Sequence, residues 1–216
     1  MVVGSPAEWV DLIDPMVPTI LSLVVASWAE MPAHAADETE DNITLLLCRK
    51  LRQNKKTRAL PFQVRPQIVE LDPMPGSDDE TGRMDIVFIP RTDDEDIYFC
   101  LESKRLNVVK DGKPRAYASE YVNAGMIRFI TGFYAKAVRH GGMLAYVLDG
   151  DVPRAMGNVE ANIRLNHVAL RMSAPGALLR SAILASDDRA RETEHQRAHE
   201  TELFRIHHLF MANSVT

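Results

Sequence analysis

Asp85, Glu102 and Lys104 are the residues of this chain whose types and spacing carry the clearest chemistry. They lie in two apolar runs, Gly82-Arg83-Met84-Asp85-Ile86-Val87-Phe88-Ile89 and Ile97-Tyr98-Phe99-Cys100-Leu101-Glu102-Ser103-Lys104. Both runs are rich in β-branched and aromatic residues and read as β-strands, with Pro90 and Asp93-Asp94-Glu95-Asp96 supplying the turn. A hairpin that turns between Asp93 and Asp94 pairs position 85 with position 102, because residues equally far from the turn face each other in an antiparallel ladder. Their Cα atoms would lie roughly 4.5 to 5.5 Å apart. Lys104, two residues past Glu102, would leave the same face. Two adjacent carboxylates repel unless a shared proton or a cation separates them, and a hard divalent ion suits oxygen ligands. Mg2+ takes one or two protein carboxylates and leaves positions for water and phosphate oxygens. The lysine would orient or deprotonate an attacking water, or neutralise charge growing on the phosphorus oxygens. Phosphodiester hydrolysis fits this set. The plainer reading is a cross-strand salt bridge at a sheet edge; the apolar flanks weigh against it, since burying charge without a task is costly.

Gly-Arg-Met-Asp85 followed by a strand ending Glu102-Ser103-Lys104 resembles the Asp…Glu-X-Lys signature of the PD-(D/E)XK, or restriction-endonuclease-like, nuclease superfamily. The resemblance covers about residues 38 to 150. It implies an α/β fold with a restriction-endonuclease-like core, a central mixed β-sheet flanked by helices. It also implies Mg2+- or Mn2+-dependent cleavage of nucleic acid, with Asp85, Glu102 and Lys104 in the active site and Asp85 and Glu102 holding the metal. The superfamily often adds an acid on the preceding helix. Glu40 is the candidate here, with Glu38, Asp41 and Glu70 as alternatives. Met84 stands before Asp85 where the motif's name has proline. The activity expected is an endonuclease acting on DNA in restriction or phage defence. A repair or resolvase-type nuclease, an RNA-directed nuclease, and an inactive nuclease-like subunit serving as a binding module are the alternatives.

The whole chain bounds these expectations. Its 216 residues, 46% hydrophobic and 25% charged, suit a globular protein with a sizeable core. A formal net charge of -5 argues against bulk attraction to nucleic acid, so DNA binding would need local basic surfaces. Arg49, Lys50, Arg52, Lys55, Lys56 and Arg58 offer one; Arg105, Lys110, Lys113 and Arg115, just downstream of the site, offer a second. Cys48 and Cys100 lie in apolar runs without disulfide or metal spacing, which fits a reducing, cytoplasmic setting. Glu8, Asp11 and Asp14 precede the apolar run from Met16 to Trp28, the wrong charge for a signal peptide, and the run is too short to span a bilayer. No membrane partner is expected. A homodimer or a partner protein that supplies targeting is, since cutting a duplex needs two sites.

The positioning elements follow from periodicity and breakers. Residues 7 to 30 read as a helix broken near Pro15 and Pro18, part of a helical extension over residues 1–36 that packs on the domain or on a partner. A nuclease-like domain over 37–216 follows. It opens with a helix over residues 37–53, capped by Asp37 or Thr39, and an edge or bulged strand over 62–71 that contains Pro66. Residues 72–81 read as a loop. Tyr117 to Arg139 reads as one helix ended by Gly141-Gly142, and Met143 to Leu148 as a buried strand parallel to the one carrying Glu102. Val152 to Leu165 reads as a further helix. His195 and His199 share a face if helical, yet no glutamate follows His195 as a zinc protease motif requires, so a charged helix surface or loop is expected. His207 and His208 belong to a terminal strand.

Overall fold

In the computed structural model, which describes residues 13–71, 80–91, 97–110, 113–198 and 200–213, a seven-stranded mixed sheet forms the centre of the molecule. The strands are β1 (Phe62–Leu71), β2 (Glu80–Pro90), β3 (Phe99–Leu106), β6 (His140–Val147), β7 (Leu179–Arg180), β8 (Ala190–His195) and β9 (Phe204–Ala212), in the order β1-β2-β3-β6-β9-β8-β7. A separate ribbon, β4 (Val108–Lys110) and β5 (Lys113–Arg115), follows β3. The central strands β3, β6 and β9 are parallel to one another, and the flanking pairs are antiparallel. A parallel centre must be covered on both faces, which is why β6 is buried almost throughout.

One face is covered by α1 (Val17–Ala29) and α2 (Glu40–Thr57). A 3-10 turn at Asp14–Met16 precedes α1, so the break expected near the two prolines is present. Trp28 of α1 stacks on Tyr146 of β6 and donates its indole N–H to the Ala212 carbonyl at 2.8 Å. Thr39 caps α2, accepting the Asn42 N–H, and Ile43, Leu47 and Leu51 are buried against the sheet. The opposite face carries α4 (Val152–Asn166), capped by Asp151, and a segment here called α3: a short turn at Ala118–Glu120, π-helical turns at Tyr121–Met126, and Ile127–Ile130. Gly125 lies flush on the sheet; a Cβ there would meet Met143 Cε at 2.5 Å.

Three expectations change. The helix from Tyr117 ends at Ile130, since Gly132 and Ala135 take positive φ and turn the chain into a loop. Gly141 and Gly142 lie inside β6, where a Cβ would strike Phe129 or Leu101. His195 lies in strand β8 and is fully buried, not on a charged helix or loop. It is part of a relay in which Thr193 Oγ1 contacts His195 Nε2 at 2.7 Å and His208 Nε2 at 2.9 Å. His199 and the turn at Asp93-Asp94 lie outside the described residues. Among those described, no helix is long and apolar enough to cross a membrane.

Candidate active site

β2 and β3 are paired over Ile86–Leu101, Val87–Cys100 and Phe88–Phe99, the register expected from a turn between residues 93 and 94, but the ladder stops one step short of the expected pair Asp85 and Glu102. β2 stays paired with β1 beyond Ile86, while β3 stays paired with β6 beyond Leu101. The sheet therefore forks at Asp85 and Glu102. A strand that loses its neighbour leaves backbone donors unsatisfied. Asp85 answers one of them: its Oδ2 accepts the Ser103 N–H at 2.6 Å.

Glu102, on the α3 side of the sheet, is 1% exposed. Its Oε1 accepts Lys104 Nζ at 2.8 Å and Arg128 Nη1 at 2.9 Å, whereas its Oε2 is buried without a hydrogen-bond partner. Lys104 Nζ also donates to Glu40 Oε1 at 3.1 Å and to the Ser103 carbonyl at 2.7 Å. Those three acceptors match the three protons of an ammonium. Glu40, at the first turn of α2, reaches past the fork from the other layer, and its Oε2 accepts the Arg105 N–H at 3.0 Å. Behind the site, the Tyr146 hydroxyl bridges Ser103 Oγ at 3.2 Å and Thr44 Oγ1 at 3.1 Å, tying β3, β6 and α2 together.

Burial first, then the neighbouring Glu102 charge, pushes the Asp85 carboxyl up to about 7. Burial likewise raises Glu102 against the pull of Lys104 and Arg128. For Lys104, burial favours the neutral amine, but the carboxylates of Glu102, Glu40 and Asp85 together outweigh it and raise the ammonium above its ordinary value. Lys104 is thus held as a cation. In the metal-free site that suits positioning and charge stabilisation.

The other predicted residues are placed as follows. Glu38 pairs with His34 at 3.0 Å, and Asp41 with Arg83 at 3.5 Å, so among the helix acids it is Glu40 that meets Lys104. The Glu70 side chain lies outside the described part of the chain. Arg105 is engaged structurally, donating to the Glu38 carbonyl at 2.7 Å. Lys110, Lys113 and Arg115 are exposed on the β4–β5 ribbon, and Lys110 and Arg115 line an open cleft of about 390 Å³ with Tyr117 and Glu120. Of the cations in α2, Lys50 pairs with Glu30 at 3.2 Å and Arg52 Nε donates to the Val64 carbonyl at 2.8 Å, while Arg49, Lys56 and Arg58 are exposed and Lys55 is half-buried. At 1.5 Å rise per residue, Arg49 to Arg58 sit about 14 to 27 Å along the axis from Glu40. They belong to the far end of the helix.

Sequence reasoning missed Arg128 and Tyr134. The Tyr134 hydroxyl accepts from Arg128 Nη1 at 2.8 Å and donates to the Arg83 carbonyl at 2.9 Å. A signal was present: Arg128 is the one charge in Met126-Ile-Arg-Phe-Ile130, an otherwise apolar helical stretch.

Among the described residues, no three His, Cys, Asp or Glu side chains are grouped as an ion would hold them. Two carboxylates are enough for Mg2+, which completes its shell with water and phosphate. Asp85, whose ionisation is suppressed by burial and by Glu102, and the unpartnered Oε2 of Glu102 are what such a cation would relieve. No protein-family model, curated protein or solved structure matches this chain.

Proposed function

We propose that this chain is a restriction-endonuclease-like nuclease that hydrolyses DNA phosphodiester bonds with Mg2+ or Mn2+, in restriction or phage defence. One observation carries the reading: where β2 and β3 part, the buried carboxyls of Asp85 and Glu102 stand beside the half-buried Lys104, which donates to Glu102 Oε1, and Glu102 Oε2 is left without a donor. Asp85 and Glu102 would hold the ion. When bound, the metal supplies Lewis acidity at the phosphate oxygens and lowers the pKa of water. Lys104 would orient the attacking water and stabilise negative charge as it grows on the phosphoryl oxygens. Glu40 fixes the ammonium in place. Lys110, Lys113 and Arg115 are the nearest exposed cations after β3 and would track the DNA backbone.

A second reading, an inactive nuclease-like subunit that binds DNA or a partner, is favoured by one feature. Glu102 Oε1 is already neutralised by both Lys104 and Arg128. Plasmid nicking separates the two. With Mg2+ present, the full chain is expected to nick supercoiled DNA, and chelation is expected to stop it. Lys104→Ala and Asp85→Asn are expected to lower the rate by at least about a hundredfold, the scale of losing one electrostatic group at a reacting centre, with circular dichroism unchanged. Equal background cutting in all three proteins would leave the binding module.

A further inference from the structure

Building on the reading of Asp85 and Glu102 as the cation-holding pair, we propose that Arg128 is an exchangeable counter-ion. Its guanidinium holds Glu102 while no divalent cation is bound, and when one binds it moves to a phosphate of the nucleic acid. Metal and nucleic acid then bind cooperatively.

The two cations on Glu102 Oε1 are held very differently. Lys104 is 17% exposed at its side chain and is kept in place by Glu40 and the Ser103 carbonyl as well as Glu102. Arg128 is 37% exposed, and Glu102 is its one charged partner among the described residues. Its other contacts are to the neutral Tyr134: the hydroxyl at 2.8 Å and the ring, whose centroid lies 5.5 Å from Cζ. Both hydrogen bonds leave from Nη1, and Nε and Nη2 make none among the described residues. A guanidinium has five N–H donors in a planar fork, so the part that could grip a phosphate bidentately is not used.

A divalent cation arriving at Glu102 places positive charge against both neighbours. Like charges at such distances repel strongly in a buried site. Lys104 has two other acceptors to hold it. Arg128 has one neutral hydroxyl and a path to solvent, so Arg128 yields. Tyr134, itself anchored on the Arg83 carbonyl, serves as the pivot that keeps the released guanidinium at the mouth of the fork. Because linkage is reciprocal, a phosphate that draws Arg128 away must favour metal binding by the same factor.

Mn2+ titrations of the full chain, followed by electron paramagnetic resonance of the free ion, test this without recourse to cleavage. Arg128→Gln is expected to bind Mn2+ about tenfold more tightly than wild type, the scale of a charge-assisted hydrogen bond that no longer has to be broken. Arg128→Lys, which keeps the charge, is expected to stay near wild type. In fluorescence anisotropy with a duplex oligonucleotide, wild type and Arg128→Gln are expected to bind alike in chelator, with the gain on adding Ca2+ smaller in the variant. If Asp85→Asn weakens Mn2+ binding while Arg128→Gln binds with wild-type or lower affinity, the cation-holding pair stands and the exchange is overturned. If wild type binds Mn2+ no better than Asp85→Asn, the pair and the exchange fall together.

Discussion

The side chain of Asp85 does two jobs that pull against each other. It completes the backbone of β3 by accepting the Ser103 N–H, and it carries a charge that its surroundings disfavour. With the carboxyl raised from 3.8 to about 7, the folded protein holds a proton that the unfolded chain has already released across that interval. The stabilisation from this group is therefore complete below about 3.8 and is lost as pH rises through about 7, on the order of a few kcal/mol. Denaturant midpoints of the metal-free protein are expected to fall between pH 5 and pH 8 in wild type and to vary less in Asp85→Asn, whose amide oxygen can still accept the same N–H. Tyr146→Phe is expected to cost about 1–3 kcal/mol in the same experiment, because the buried hydroxyls of Ser103 and Thr44 lose a shared partner. Asp85, Glu102 and Lys104 were legible because charges at the ends of unbroken apolar runs are conspicuous. Arg128 was not, since nothing in a linear pattern says which strand a single helical cation will face.

Among the elements, β2 and β3 could be paired in register from the sequence because both runs are continuous and the acidic stretch between them leaves few ways to turn. α3 misled for a physical reason. Apolar residues continue at helical spacing past Ile130, but Tyr134, Ala135 and Val138 are buried in a loop clamped by Arg197, which donates to the Ala135 carbonyl at 2.8 Å. β8 misled in the opposite sense: Ala-Arg-Glu-Thr-Glu-His195 reads as a polar surface, and burial is made tolerable by partners such as the Ala182 N–H, which Glu192 Oε2 accepts at 2.9 Å. Gly141 beneath α3 and Gly125 within it give a test of how tightly it is seated. Gly141→Ala would drive a Cβ to 2.5 Å from a ring carbon of Phe129, which is rigid, and is expected to destabilise by about 1–3 kcal/mol. Gly125→Ala meets only the flexible end of Met143 and part of Glu102 and gains helix propensity, so its denaturant midpoint is expected to lie closer to wild type.

At the scale of the whole molecule, the proposed hold on DNA by an acidic protein would draw on the two groups of cations named from the sequence. The ribbon carrying Lys110, Lys113 and Arg115 follows directly on β3, whereas Arg49, Lys55 and Lys56 sit about 14 to 24 Å along α2 from Glu40, the length of roughly four to seven base pairs. Replacing the ribbon cations with alanine is expected to lower the slope of log affinity against log salt by about 0.9 for each phosphate that is no longer neutralised, on short and long duplexes alike. Replacing the helix cations is expected to change the slope only on duplexes that reach them. An equal drop for both sets of substitutions whatever the duplex length would contradict that division.

One of the two outer strands of the sheet bears on how two copies could cooperate. In β1, Pro66 stands opposite Ile86 and Gln67 takes a φ of 50°, so the open rim of the sheet is broken midway by a residue without an N–H and a left-handed step. Such a rim is a poor template for joining one sheet to another end to end. Two molecules cutting the two strands of a duplex would then meet somewhere other than along β1, and the offset between their incisions would be governed by how those surfaces nest instead of by the spacing of hydrogen-bonded strands at that rim.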